Sequence, residues 1–184
     1  MTKMSIHHHA AMAAKVAVHP VLPSPSMEAR LAEILTEVVA ANGSVHFMDP
    51  IPHGEAEAYW RGAMAGAAAG DRVVLGAFLE TILAGTVTLF LGTPPNQPFR
   101  AEIWKLMVSP VYRRMGLGRA LVAEAESLAR EHGRTLLTLD TAVEGGASEL
   151  YEGLGWTRAG VIPDYAYKPK GGLVGTAIYY KKIA

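Results

Sequence analysis

An α+β (mixed α/β) fold is predicted, with one sheet carrying helices on its faces, and three observations lead to it. Three β-rich runs, at 72–79, 84–91 and 101–108, follow one another with short breaks. From 101 to 139 the order is strand, glycine-bearing turn, helix, strand, which is a βαβ crossover and places its two strands parallel. The chain has 184 residues, 50% of them apolar and 18% charged, as expected of one compact domain with a real core.

The elements follow in order. Met27, Leu31, Ile34, Leu35, Val38 and Val39 recur at three- and four-residue steps and mark an amphipathic helix that ends at Asn42-Gly43. A second helical stretch begins near His53-Gly54, runs through Tyr59, Trp60, Ala63, Met64 and Ala67, and stops at Gly70-Asp71. The runs 72–79 and 84–91 form a hairpin, and the proline-rich stretch 92–98 is a loop, because proline lacks the N–H that a ladder needs. Strand 101–108 ends at Ser109-Pro110. Leu117, Ala120, Leu121, Ala125, Leu128 and Ala129 line one face of a helix spanning 116–132, and Gly133 supplies its stop. Strand 135–139, a short helix 147–154, and strands 156–161 and 174–180 complete the chain.

Residues 1–26 read as a flexible N-terminal segment and 27–184 as a single domain. The run His7-His8-His9 lies on a proline-interrupted stretch and reads as tail rather than as a metal site. Seventeen basic side chains balance seventeen acidic ones, so no general field draws the protein to nucleic acid or to an anionic membrane. No window reaches the roughly 20 apolar residues that span a bilayer. Without cysteine there is no thiol nucleophile, disulfide or thiolate metal site. A cytoplasmic protein with no metal is expected.

The turn Arg113-Arg114-Met115-Gly116-Leu117-Gly118 carries the chemistry. Its glycines let a strand-to-helix turn curl tightly, and the unpaired N–H groups of the following helix point back into it. The helix dipole and the side chains of Arg113, Arg114 and Arg119 add positive potential, so a diphosphate is the natural ligand. The Gly-Lys-Ser/Thr ending of a P-loop is missing, as is the third glycine of a dinucleotide fingerprint.

Val108-Ser109-Pro110, Tyr112-Arg113-Arg114-Met115-Gly116-Leu117-Gly118 and Ala120-Leu121 together resemble the CoA-binding motif of the GNAT N-acetyltransferase superfamily. Leu150-Tyr151-Glu152 followed by Gly155-Trp156 resembles that family's second signature. The resemblance holds from about Val73 onward and implies a mostly antiparallel central sheet with helices on both faces, acetyl-CoA as cosubstrate, and a single acetyltransferase domain. It implies direct attack by an acceptor amine in a ternary complex, and it admits a homodimer. It also implies that strand 101–108 parts from strand 135–139 to make a slot for pantetheine, bound by main-chain groups of Leu106, Met107 and Val108. A narrower similarity runs through Lys105-Leu106-Met107-Val108, Leu139-Asp140-Thr141, Pro163-Asp164-Tyr165 and 176–180. It is to the tabtoxin-resistance type of acetyltransferase and implies a small-molecule amine acceptor, amino acid-like or antibiotic-like.

Acetyl transfer needs a base for the acceptor ammonium, a donor for the developing oxyanion and an acid for the leaving thiolate. Tyr151 is the candidate acid, although on its helical face it can equally fill core. Glu102 and Asp140 are both candidate bases, directly or through water. Alternatively, Glu102 pairs with Lys105 or Arg100, and Asp140 caps a turn. Tyr165, Tyr167, Tyr179 and Tyr180 are candidates for an acceptor pocket. Glu144 stands where many members of the family carry a cofactor-contacting asparagine. Two other functions fit the same motifs, a protein N-terminal or lysine acetyltransferase and a non-catalytic CoA-binding sensor.

Overall fold

The computed structural model describes residues 16–183; the His7-His8-His9 run lies outside them. Among the described residues seven strands form one sheet in the order β1-β2-β3-β4-β5-β7-β6, where β1 is Val16–Pro20, β2 Arg72–Leu79, β3 Ile82–Phe90, β4 Arg100–Val108, β5 Leu136–Ala142, β6 Thr157–Tyr167 and β7 Leu173–Lys182. Every neighbouring pair is antiparallel except β4 and β5, which are joined by the crossover helix α3, Leu117–Glu131. The expected mixed, mostly antiparallel sheet and its βαβ unit are therefore present.

Two helices cover one face. In α1, Pro25–Ala40, the Ser24 hydroxyl accepts the Met27 N–H at 3.2 Å, and proline at the first turn costs no hydrogen bond. Its apolar stripe, Leu31, Ile34, Leu35, Val38 and Val39, packs with Trp60, Ala63 and Met64 of α2, Glu55–Ala68, onto Val74, Phe78, Leu83 and Met107 of the sheet. On the opposite face α3 and α4, Ala147–Glu152, pack Leu121, Val122, Ala125 and Tyr151 against Leu75, Ala77, Val87, Leu89 and Leu137. Covered on both sides, β2 and β3 are apolar almost throughout rather than alternating. Among the described residues no helix is long and apolar enough to cross a membrane.

Two boundaries depart most from the sequence reading. Residues 16–26 are not a loose leader: Val16–Pro20 pairs with Leu75–Leu79 as the edge strand β1, and α1 starts at Pro25. A five-residue edge strand ending in His19-Pro20 carries too little periodicity to stand out. The strand expected at 156–161 continues to Tyr167 through Pro163, which an edge strand accepts because one row of its N–H groups has no partner. A register shift between Ile162 and Ala166, with Asp164 at φ 50°, takes up the irregularity.

Candidate active site

The β4–β5 ladder is short. It pairs Arg100 with Leu136, Ala101 with Leu137 and Glu102 with Thr138, and then the strands part. Beyond Glu102, β4 is bonded only to β3, while Leu139–Ala142 of β5 is bonded only to β7. Arg100 clamps the closed end, donating from Nη1 to Glu102 Oε1 at 2.5 Å and to Thr138 Oγ1 at 2.9 Å.

Two cavities occupy the opening. One, of about 460 Å³, is lined by Leu106, Met107, Val108, Arg113, Gly118 and the glycines 145 and 146. The other, of about 410 Å³, is lined by His46, Tyr59, Lys105, Asp140, Tyr151 and Thr176 among others. They share Leu106, Thr141, Ala142 and Ala147, so they meet between the parted strands. The α1–α2 connection closes over this region and is tied to the β6–β7 turn: Asp49 N–H donates to Pro169 O at 3.0 Å, and Lys170 N–H donates to Asn42 Oδ1 at 3.4 Å.

At the first cavity the residues fit a diphosphate-bearing thioester. Gly116 stands at φ 81° just before α3, the left-handed conformation that favours glycine, and leaves space where a side chain would project. The exposed Arg113 lines the cavity with Gly118, at the positive end of a fifteen-residue helix. Arg114 and Met115 lie on the exposed turn outside the lining. Leu117 is buried in the core, leaving only its main chain for a ligand, and Arg119 is turned away, donating to Gly153 O at 3.4 Å. Glu144 lines the same cavity and pairs with Lys168 at 3.3 Å.

At the second cavity Tyr151 and Asp140 come together, and Glu102 does not join them. Glu102 accepts from Arg100 and, at 2.7 Å, from Trp104 Nε1, and it is absent from the lining. Its ion-pair partner is thus Arg100 and not Lys105, and its carboxylate sits at the strand junction rather than in the cavity. Asp140 is exposed to the cavity and accepts from the Thr176 hydroxyl at 3.1 Å. Burial pushes the Tyr151 phenol well above its ordinary range, and the negative charge of Asp140 pushes in the same direction. Tyr165 lines this cavity, whereas Tyr179 is in the core, donating to Glu152 at 2.9 Å. Tyr167 and Tyr180 are outside the lining.

Sequence reasoning missed Lys105 and His46. The register of β3 against β4 slips between Thr86 and Thr88, and Lys105 sits in the resulting bulge at φ 53°. Ala101 and Ile103 face α3 before the bulge, as Leu106 and Val108 do after it, while Met107 joins the α1–α2 core. The alternation changes phase, so Trp104 and Lys105, adjacent in sequence, both reach the α1–α2 side. There Trp104 stacks on Phe90 with centroids 4.0 Å apart. The Lys105 ammonium lies over Phe47 and Tyr59, 5.7 and 5.3 Å from their centroids. An ammonium only donates, so His46 Nδ1, 3.0 Å from Nζ, accepts, and the imidazole proton is on Nε2. Burial and the nearby Lys105 charge lower the His46 pKa against the pull of Asp140. Burial likewise brings Lys105 down to about 8. A lone lysine in the apolar run 103–108 was the available signal; His46, on a loop, offered none.

The structure is a mixed sheet whose two parallel strands part beside a glycine-turned helix mouth. The family model for the acetyltransferase (GNAT) family matches residues 38–156, and the chain belongs to that family. N-acetyltransferase 8F1 of Rattus norvegicus is 34% identical over 68 residues, covering 36% of this chain and 31% of the relative. The chain thus spans less than a third of that curated relative's length. Among solved structures, yncA of Salmonella typhimurium with its cofactor acetyl-CoA superposes with a TM-score of 0.77 at 18% identity, over 92% of this chain and 94% of that one. Ribosomal-protein-alanine N-acetyltransferase of Brucella melitensis gives 0.76 at 20%, over 90% and 99%. At these identities the likeness is one of fold.

Proposed function

We propose that the protein is an acetyl-CoA-dependent N-acetyltransferase acting on the amine of a small molecule in a ternary complex. The observation that carries this reading is the parting of β4 from β5 after Glu102, with one cavity leading to the α3 mouth and the other to Asp140 and Tyr151. Acetyl-CoA supplies the activated acyl group. The α3 mouth, Arg113 and the glycine turn bind its diphosphate, and the main chain of Leu106, Met107 and Val108, left without a β5 partner, aligns the pantetheine arm.

Asp140 accepts the acceptor's ammonium proton, directly or through water, its carboxylate lying 3.1 Å from the Thr176 hydroxyl, whose single hydrogen is shared with Thr141 O. Tyr151 Oη holds its proton toward the departing sulfur. A phenol raised this far stays protonated across the working pH range, so its contribution is a permanently available donor. Full transfer must coincide with replacement of the proton, because a buried phenolate is costly. The likeness to the tabtoxin-resistance type supports a small-molecule acceptor.

The test is release of free thiol from acetyl-CoA across a panel of amines, amino acids and antibiotic-like compounds. Amine-dependent release is expected, with the acetylated product identified by mass. Tight acetyl-CoA binding without release for any amine or peptide favours a sensor, and release with peptides alone favours a protein acetyltransferase.

A further inference from the structure

We propose that the acceptor carries a carboxylate as well as its amine, the acid group held by Lys105 and the amine directed at Asp140. This rests on the reading of the Asp140–Tyr151 cavity as the acceptor site.

The first argument is charge. Three lining side chains bear full charges: Arg72, Lys105 and Asp140. Arg72 is already matched by a two-point contact with Asp71, at 2.7 and 3.1 Å. That leaves one cation and one anion within reach of a ligand, and among the described residues Lys105 has no carboxylate within 4.0 Å. Arg30, Arg100, Lys168 and Lys181 all have one. A ligand with a cationic and an anionic end cancels both residual charges. A purely cationic amine would bring a second positive charge beside Lys105.

The second is the built surroundings of the ammonium. The bulge turns Lys105 into the cavity, His46 Nδ1 takes one of its three hydrogens, and the rings of Phe47 and Tyr59 flank it. These contacts aim the group and supply no counter-charge, which leaves donors for a carboxylate oxygen. Asp140 attracts Lys105 without touching it, and the desolvation that brings the amine to about 8 is what a bound carboxylate would reverse. The ionisable groups lining the same space, His46, Tyr59, Arg72, Asp140, Tyr151 and Tyr165, include no other free cation. Recognition of the acid therefore fades as pH rises through about 8, when Lys105 becomes neutral.

The experiment compares free amino acids with their carboxamides, which keep the amine and lose the charge, in the thiol-release assay. Wild-type protein is expected to favour the acid at least about tenfold in kcat/KM, the value of one charge-assisted contact. Lys105→Met should erase that preference by raising KM for the acid far more than for the amide, and Lys105→Arg should restore part of it. In parallel, N-acetylated amino acids are titrated calorimetrically into CoA-saturated protein; wild type is expected to bind them and Lys105→Met to lose that binding. Equal use of acids and amides, a preference that survives Lys105→Met, or failure of the wild type to bind N-acetylated amino acids overturns the proposal. Lys105-dependent binding without any thiol release leaves this inference standing and removes the transfer reading.

Discussion

Lys105 Nζ lies 3.0 Å from His46 Nδ1, joining a strand residue in a bulge to a loop residue 59 positions away. Both have positive φ, 53° and 72°, a conformation that costs a non-glycine residue about 1 kcal/mol or more. Two strained residues meeting in one cavity make this contact a candidate determinant of what binds there.

With a pKa near 8, Lys105 is about a quarter neutral at pH 7.5, whereas an ordinary lysine near 10.4 is almost wholly charged. Limiting amine-reactive ester at that pH should label Lys105 ahead of the more exposed lysines, with digestion and mass spectrometry as the readout. Labelling that merely follows exposure would contradict the depressed value. The sign is definite: reactivity rises and cationic character falls as pH increases through 8.

Tyr151→Phe should lower kcat about a hundredfold, the lower range for loss of a positioned acid, with acetyl-CoA affinity within about twofold. Calorimetry and steady-state rates check the two halves separately. Unchanged turnover would return Tyr151 to the core cluster in which its ring already packs, 5.7 Å from Trp156 and 5.9 Å from Tyr179.

Asp140→Asn keeps an acceptor for the Thr176 hydroxyl while removing the base, so kcat/KM is expected to drop by about two orders of magnitude with the melting temperature nearly unchanged. Glu102→Gln should cost far less in rate, since that carboxylate serves Arg100 and Trp104 at the strand junction. A larger loss from Glu102 than from Asp140 would reverse the assignment.

Gly116→Glu places a negative charge at the α3 mouth, where open space leaves the fold room for it. Acetyl-CoA binding should weaken at least about tenfold by charge repulsion. Circular dichroism should report a retained fold, the strain at φ 81° costing about 1–2 kcal/mol. Normal acetyl-CoA affinity in the variant would refute the diphosphate assignment.

Away from the cavities, Glu126 is 6% exposed and accepts from Lys181 at 2.7 and 2.8 Å and from Trp156 Nε1 at 2.9 Å. Lys181 donates onward to Leu154 O at 2.7 Å, which ties α3 and β7 to the turn after α4. Glu126→Ala leaves a largely buried ammonium and an indole N–H unmatched, so a loss of about 3 kcal/mol is expected in denaturant unfolding. A loss under about 1 kcal/mol would show that water replaces the carboxylate.

The order of elements from α1 onward, the βαβ unit and the glycine turn before α3 were legible in the sequence, because helix and strand periodicity and glycine's backbone freedom are local properties of the chain, whereas the five-residue β1 was not. The presence of Tyr151 and Asp140 was legible too. Only the tertiary structure separated Asp140 from Glu102, since which carboxylate faces a cavity depends on where β4 and β5 stop pairing and on which arginine lies next door. It alone turned Lys105 toward His46: a bulge shifts the alternation by one residue, and that shift comes from β3 pairing with β4, two segments whose separate patterns carry no trace of it.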